Sequence, residues 1–357
     1  MVAATPELLV ETRGRLGILT LNRPQATNAL SFEMLRGLTT ALAEFSLDPA
    51  VDAVLVRGEG RAFCSGGDLL EILALPAGPA FERGRRDYFA TEYALNYSIH
   101  TFPKPYIAVI DGLTMGGGCG ISLHGSHVIA TERTLLAMPE TAIGHFPDAG
   151  GSWFLNRLPG EMGVYAGLRG LRLSAADVVA FGMATNFVAS SSLGSLVEAL
   201  TDGSRLDRQG VDGILARFAG KAGPSALAGR QARVDELFAA STVEGIAEAL
   251  SSAKESWAEA ALGVLQHASP LSLKVTLRML RDAKNMPIAE ALRQEYRICV
   301  RITGGLDFRE GVRAALIDKD NTPHWQPARL ELLEESSVAA CFAPLAPAEN
   351  ELILASR

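Results

Sequence analysis

Tyr106-Ile107-Ala108-Val109-Ile110-Asp111-Gly112-Leu113-Thr114-Met115-Gly116-Gly117-Gly118-Cys119-Gly120 reads as a short apolar strand that runs into a glycine cluster, with a helix opening at Ile121-Ser122-Leu123-His124. A strand that passes through glycines into a helix start presents unpaired backbone amides to whatever lies in front of it. A second stretch repeats the arrangement. The apolar run Val51-Asp52-Ala53-Val54-Leu55-Val56 precedes Arg61-Ala62-Phe63-Cys64-Ser65-Gly66-Gly67-Asp68. Without a Cβ the backbone approaches a ligand closely, and two amides aimed at one point stabilise a developing oxyanion. Tight turning or close packing explains either glycine cluster equally well when it is taken singly.

Farther along, Met138-Pro139-Glu140-Thr141-Ala142-Ile143-Gly144-His145-Phe146-Pro147-Asp148-Ala149-Gly150-Gly151 places two carboxylates eight residues apart among apolar residues and glycines. An acid bracketed by Met, Ile, Phe and Pro faces a desolvated setting in which its protonation and reactivity are tuned. The competing reading is a turn whose two acids cap backbone amides and meet water.

Together these segments resemble the crotonase superfamily, the enoyl-CoA hydratase/isomerase family. The likeness runs from Ile18-Leu19-Thr20-Leu21-Asn22-Arg23-Pro24-Gln25-Ala26-Thr27-Asn28-Ala29-Leu30 through Phe63 to Asp68, Lys104-Pro105-Tyr106, the triple glycine and Pro139-Glu140. Within the family the chain is most similar to the branch that hydrolyses 3-hydroxyacyl-CoA thioesters in valine breakdown. Phe146-Pro147-Asp148, Ser269-Pro270-Leu271, Glu295-Tyr296-Arg297 and Asp307-Phe308-Arg309-Glu310-Gly311 carry that part of the likeness, which covers roughly nine tenths of the chain.

The resemblance implies an α/β fold, a spiral core of ββα turns with a C-terminal α-helical region. It also implies a thioester hydrolase acting on 3-hydroxyisobutyryl-CoA or a similar short branched 3-hydroxyacyl-CoA. The backbone amides of Gly67 and Gly117 would hold the thioester oxygen, and Glu140 would be the nucleophile or the general base. Asp148 would bind the 3-hydroxyl or pass a proton to the leaving thiolate, and Glu92 would face the acyl group. Glu92 lies in Tyr88-Phe89-Ala90-Thr91-Glu92-Tyr93-Ala94-Leu95, whose spacing suits a helix, so a solvated helix face competes with a pocket position. Arg23, Gln25, Ser65 and Asp68 are candidate CoA contacts, with Arg61 and Lys104 as further cations beside the matched segments. Hydratases of the family pair two glutamates. At the first of those positions this chain has Gly120, which makes hydration the less fitting activity.

Composition agrees with an enzyme of this kind. The 357 residues are 48% hydrophobic and include 35 glycines, which suits a well-cored α/β body. With 33 basic and 40 acidic side chains the formal charge is −7, which recommends neither nucleic acid nor an anionic membrane as partner. The expected partner is an acyl-CoA, with a homo-oligomer also allowed. No cofactor is expected beyond the CoA of the substrate, and no metal. His124 and His127 could share a helix side, but two histidines without a third ligand are better read as core residues. Cys64, Cys119, Cys299 and Cys341 show no CxxC pairing and read as buried thiols of a reduced interior. Residues 1–7 carry no basic flank or long apolar core, and nowhere is there an apolar run of the ~18 residues that suggests a membrane span. A cytoplasmic location is expected.

The rhythm of the chain suggests two parts: residues 1–200 as the acyl-CoA-binding core and 201–357 as a mainly helical region that covers the site or forms oligomer contacts. Strands are expected at Leu16–Leu21, Val51–Val56, Tyr106–Ile110 and Val128–Ala130. The Gly/Ser/Asp-rich stretch Thr201–Gly213 is the expected boundary zone. Ser269-Pro270 should cap a helix over Leu271–Ala283, and Pro287 should start the next. Ala339–Arg357 has no assigned role. Three other functions compete: a hydratase or isomerase of the same fold, a crotonase-fold assembly protein without chemistry, and a dinucleotide-binding oxidoreductase. The last is disfavoured because a GxGxxG register needs glycine where Ile121 stands.

Overall fold

The computed structural model describes residues 5–354 apart from Ser204 and Ala348. The strands are β1 (Leu8–Arg13), β2 (Leu16–Leu21), β3 (Ala53–Gly58), β4 (Ala62–Cys64), β5 (Tyr106–Ile110), β6 (Leu113–Met115), β7 (His127–Ala130), β8 (Leu135–Ala137), β9 (Leu173–Ser174) and β10 (Asn186–Phe187). One sheet has the order β1-β2-β3-β5-β7-β10 and the other β4-β6-β8-β9. In the larger sheet β1 and β2 form an antiparallel hairpin, while β2, β3, β5, β7 and β10 pair in parallel. Every residue of β2 and β5 is buried. That explains why neither alternates between apolar and polar residues: a strand covered on both faces has no solvent side to alternate with.

Contacts divide the chain into two compact units. The first comprises Met1–Asp68, Ala94–Leu136 and Leu173–Ala228; the second comprises Leu69–Tyr93, Ala137–Arg172 and Gly229–Arg357. The sheets belong to the first unit, Ala137 at the end of β8 excepted. Its core joins Leu16, Ile18, Leu55, Ile107 and Ile129 of the strands to Leu196, Leu200, Val211 and Leu215 of the helices Leu193–Leu200 and Arg208–Phe218. Part of Thr201–Gly213 thus packs into this core through Leu206 and Val211, and Asp207 caps the second of those helices by accepting from Gly210 N at 3.0 Å.

Beyond β10 the described chain is helical. In the second unit, Ser269 Oγ accepts from Ser272 N at 3.2 Å and caps Pro270–Asp282, as its sequence suggests. The following helix is Ile288–Ile302, with Pro287 at its N-cap. Its buried stripe runs through Ile288, Leu292, Glu295, Cys299 and Ile302, so a carboxylate stands where the spacing calls for an apolar residue. The final stretch is tied down by Arg297, which pairs with Glu351 at 3.0 Å, and by burial of Leu352. Residues 1–4 and 355–357, to which the readings of both chain ends partly apply, lie outside the described residues.

Candidate active site

The two glycine loops meet in the first unit. A Cβ placed on Gly66 would lie 3.6 Å from Gly117 N, and one on Gly118 would lie 2.6 Å from the Cys64 carbonyl oxygen. The backbones therefore touch where only glycine permits it. Gly67 pairs with Leu30 in a parallel bridge. The bridge is made by Leu30 N to Gly66 O (2.8 Å) and Asp68 N to Leu30 O (2.9 Å), so it does not use the Gly67 N–H. Gly117 begins the helix Gly117–Leu123, where an amide has no carbonyl four residues earlier within the helix.

Two expectations are corrected here. The helix begins at the glycines, not at Ile121, because their close approach to the neighbouring loop is part of the helix itself. His124 is its C-cap and His127 opens β7, so the two histidines do not share a helix side. His124 packs edgewise on His100 with ring centroids 6.2 Å apart, and His127 is engaged by Ser126 and Asp212.

The carboxylates gather in the second unit. Glu92, Glu140 and Asp148 are only 2%, 6% and 5% exposed. Glu92 thus takes the buried alternative over the solvated helix face. Glu140 opens a 3-10 turn that ends at Gly144, whose φ of 68° is left-handed. A Cβ on Gly144 would strike the Asp307 carbonyl at 2.3 Å, and one on Gly311 would meet the Ile143 carbonyl carbon at 2.2 Å, so the C-terminal region lies directly against the Glu140 loop. After Asp148, Ala149 (φ 53°) and Gly150 (φ 86°) turn the chain into the helix Gly151–Leu155.

Glu295 fastens that turn. Its Oε2 accepts from Gly150 N at 2.7 Å, and its Oε1 accepts from Ser152 N at 2.8 Å and lies 2.5 Å from Ser152 Oγ. Tyr93 Oη donates to Asp148 Oδ2 at 2.6 Å, and His145 Nε2 lies 3.2 Å from the same oxygen. Phe89, Phe146 and Phe308 surround His145, with ring centroids 5.8, 4.8 and 5.6 Å from its own.

Crowding acids in such a setting favours their neutral forms. Burial pushes the Glu140 carboxyl well above its usual range, and the charges of Asp148 and then Glu92 add to the effect. Glu92 is raised by burial, then by Asp148 and Glu295. Burial also carries Glu295 up to about 8, against the pull of its three hydrogen bonds. Oε2 of Glu140 has no hydrogen-bond partner among the described residues. A buried, unpartnered carboxyl oxygen is costly to a fold, and strongly shifted buried acids cluster at functional sites.

The candidate CoA contacts are placed less tellingly. Arg23 donates to Ala29 O and to Asp68 Oδ2, at 2.8 and 2.9 Å, and pairs with Glu7 at 3.0 Å. Gln25 and Arg61 are exposed, and Ser65 is half-buried. Lys104 Nζ donates to the carbonyls of Phe45 and Asp48 at the end of the helix Phe32–Leu47, a capping role. Tyr93, His145 and Glu295 carry no role in the reading from sequence. The available signals were an acid on the apolar stripe of Ile288–Ile302 and a histidine inside the acidic loop.

The family model described as enoyl-CoA hydratase/isomerase matches residues 16–342. The 3-hydroxyisobutyryl-CoA hydrolase, mitochondrial, of Xenopus laevis is 42% identical over 350 residues, which span 96% of this chain and 90% of the frog protein. The 3-hydroxyisobutyryl-CoA hydrolase 1 of Arabidopsis thaliana is 40% identical over 350 residues, 96% and 92% of the two chains. Among solved structures, a carnitinyl-CoA dehydratase from Mycobacterium thermoresistibile superposes with a TM-score of 0.90 at 36% identity, covering 99% of this chain and all of its own. An enoyl-CoA hydratase from Rhodobacter sphaeroides 2.4.1 gives 0.89 at 38%, covering 98% and 100%. The glycine loops, the Glu140–Asp148 loop and Glu295 all fall within the matched span, and the chain belongs to the enoyl-CoA hydratase/isomerase family.

Proposed function

We propose that the protein hydrolyses the thioester of 3-hydroxyisobutyryl-CoA or of a similar short branched 3-hydroxyacyl-CoA, a step of valine catabolism. The observation that carries the chemistry is the buried Glu140, with one oxygen unpartnered, next to an Asp148 held by Tyr93. The frog and plant relatives, which bear the name of that hydrolase, supply the substrate class.

The amides of Gly67 and Gly117 hold the thioester oxygen. Each such donor lowers the barrier by about 3 kcal/mol. Ionised Glu140 attacks the carbonyl carbon and forms an acyl-glutamyl anhydride as the C–S bond breaks. The CoA sulfur leaves as a thiolate and takes its proton from solvent. Water then opens the anhydride, which frees the hydroxy acid and restores the Glu140 carboxylate. Asp148 accepts a hydrogen bond from the 3-hydroxyl, and Glu92 lies beside the acyl group. Burial favours attack by Glu140 itself over activation of water, since the residue is only 6% exposed.

The names of the two solved structures favour a second reading, hydration of an enoyl-CoA. Against it stands Gly120, buried and without a side chain where the family's first glutamate would be. The test is thiol release from 3-hydroxyisobutyryl-CoA, with crotonyl-CoA loss followed in parallel. Release that disappears in Glu140→Gln supports the hydrolase; crotonyl-CoA loss without thiol release refutes it. A cytoplasmic location belongs to the same proposal; the four buried cysteines, none in a disulfide among the described residues, suit a reducing compartment, cytoplasm or mitochondrial matrix alike. Cell fractionation separates it from the mitochondrial location in the frog protein's name.

A further inference from the structure

Asp148 is gripped from one side. Tyr93 Oη donates to Oδ2 at 2.6 Å and His145 Nε2 lies 3.2 Å from that same oxygen, off the line of a full hydrogen bond. The Tyr93 ring is fixed edge-on against both Phe89 and Tyr296, each with centroids 6.2 Å away, and the residue is fully buried. His145 Nδ1 is buried with no partner among the described residues, and Nε2 is the ring nitrogen that faces Asp148.

We propose that Tyr93, assisted by His145, is a positioning residue that engages Asp148 through Oδ2 and thereby turns Oδ1 to the 3-hydroxyl of the substrate, so that it helps to select hydroxylated over plain acyl thioesters. This rests on the hydroxyacyl reading of the site given above. The physical need is evident from the neighbours. Glu140, Glu92 and Glu295 each lie close enough to Asp148 to feel its charge, and the hydroxyl of any of them in its neutral form competes for the Asp148 carboxylate unless Tyr93 holds it. Burial, and then the Asp148 charge, keep the Tyr93 hydroxyl protonated, so it remains a donor over the working pH range.

Tyr93→Phe removes the hydroxyl and retains the ring packing. The expected result is a fall of about tenfold or more in kcat/KM for 3-hydroxyisobutyryl-CoA, the scale of a hydrogen bond to a charged group, expressed mainly in KM. Isobutyryl-CoA, which lacks the hydroxyl, should change by no more than about twofold, since it forfeits no such bond. His145→Gln, which keeps a donor, should retain more of the preference than His145→Leu. An equal fall for both substrates in Tyr93→Phe, while Asp148→Asn still discriminates between them, overturns the positioning role and leaves the hydroxyacyl reading standing. If Asp148→Asn does not discriminate either, that underlying reading fails and takes the proposal with it.

Discussion

Replacing Glu295 by glutamine should make the protein less stable at pH 5 and no less stable, or more so, above pH 8. Glu295 is fully buried, and burial raises its carboxyl from 4.5 to about 8. A carboxyl whose folded-state pKa exceeds its unfolded value binds a proton on folding. Its contribution is favourable in full below about pH 4.5 and is lost as pH rises toward 8. The slope between those limits is about 1.4 kcal/mol per pH unit, so the shift from 4.5 to about 8 amounts to roughly 5 kcal/mol as an order of magnitude. Glutamine fills the same space but cannot ionise. Its amide turns an N–H toward a site where Gly150 N and Ser152 N already donate, at 2.7 and 2.8 Å, which costs about 1–3 kcal/mol at every pH. The two curves should therefore cross between pH 5 and 8. Urea denaturation of parent and variant at pH 5, 6.5 and 8 measures the gap, and groups common to both proteins cancel to first order. A gap that stays constant with pH would refute the reasoning, because it would mean that three hydrogen bonds keep Glu295 ionised in the fold against its burial.

Two further outcomes follow from the glycine loops and from Glu140. Gly118→Ala would put a methyl group 2.6 Å from the Cys64 carbonyl oxygen and 2.9 Å from Cys64 Cβ; a melting curve should show a loss of about 1–3 kcal/mol, and thiol release should drop as the loops are forced apart. Because burial and then Asp148 hold the Glu140 carboxyl above its usual range, kcat/KM should rise with pH along an acid limb centred above the ordinary carboxylate region; a limb centred near 4 would show that Glu140 is already ionised in the free enzyme and that its elevated pKa has no part in the reaction.

What the sequence disclosed and what it withheld differ in the distance over which the determining contacts act. β2 and β5 fall where their apolar runs place them, and Ser269 caps the helix that its Ser-Pro pair announces, because each is decided by neighbours in the chain. The run beginning at Val51 starts its strand two residues late, at Ala53. The side chain of Asp52 is held by Arg15 and its N–H by the Arg15 carbonyl, a tie across 37 residues that no local pattern expresses. The site repeats this division. Glu140 and Asp148 were legible as acids in apolar company, whereas Glu92 was ambiguous until the fold buried it. Tyr93 reaches Asp148 across 55 residues, and Glu295 reaches Gly150 across 145. The carboxyl proposed to react is therefore written in a short loop, while Tyr93, which holds Asp148, and Glu295, which holds the turn after it, come from helices in remote parts of the chain. Substitution of Glu140 should thus mainly abolish the reaction. Substitutions at Tyr93, His145 or Glu295 should instead shift substrate preference or the pH dependence of stability, a difference in kind that separates chemistry from positioning in this fold.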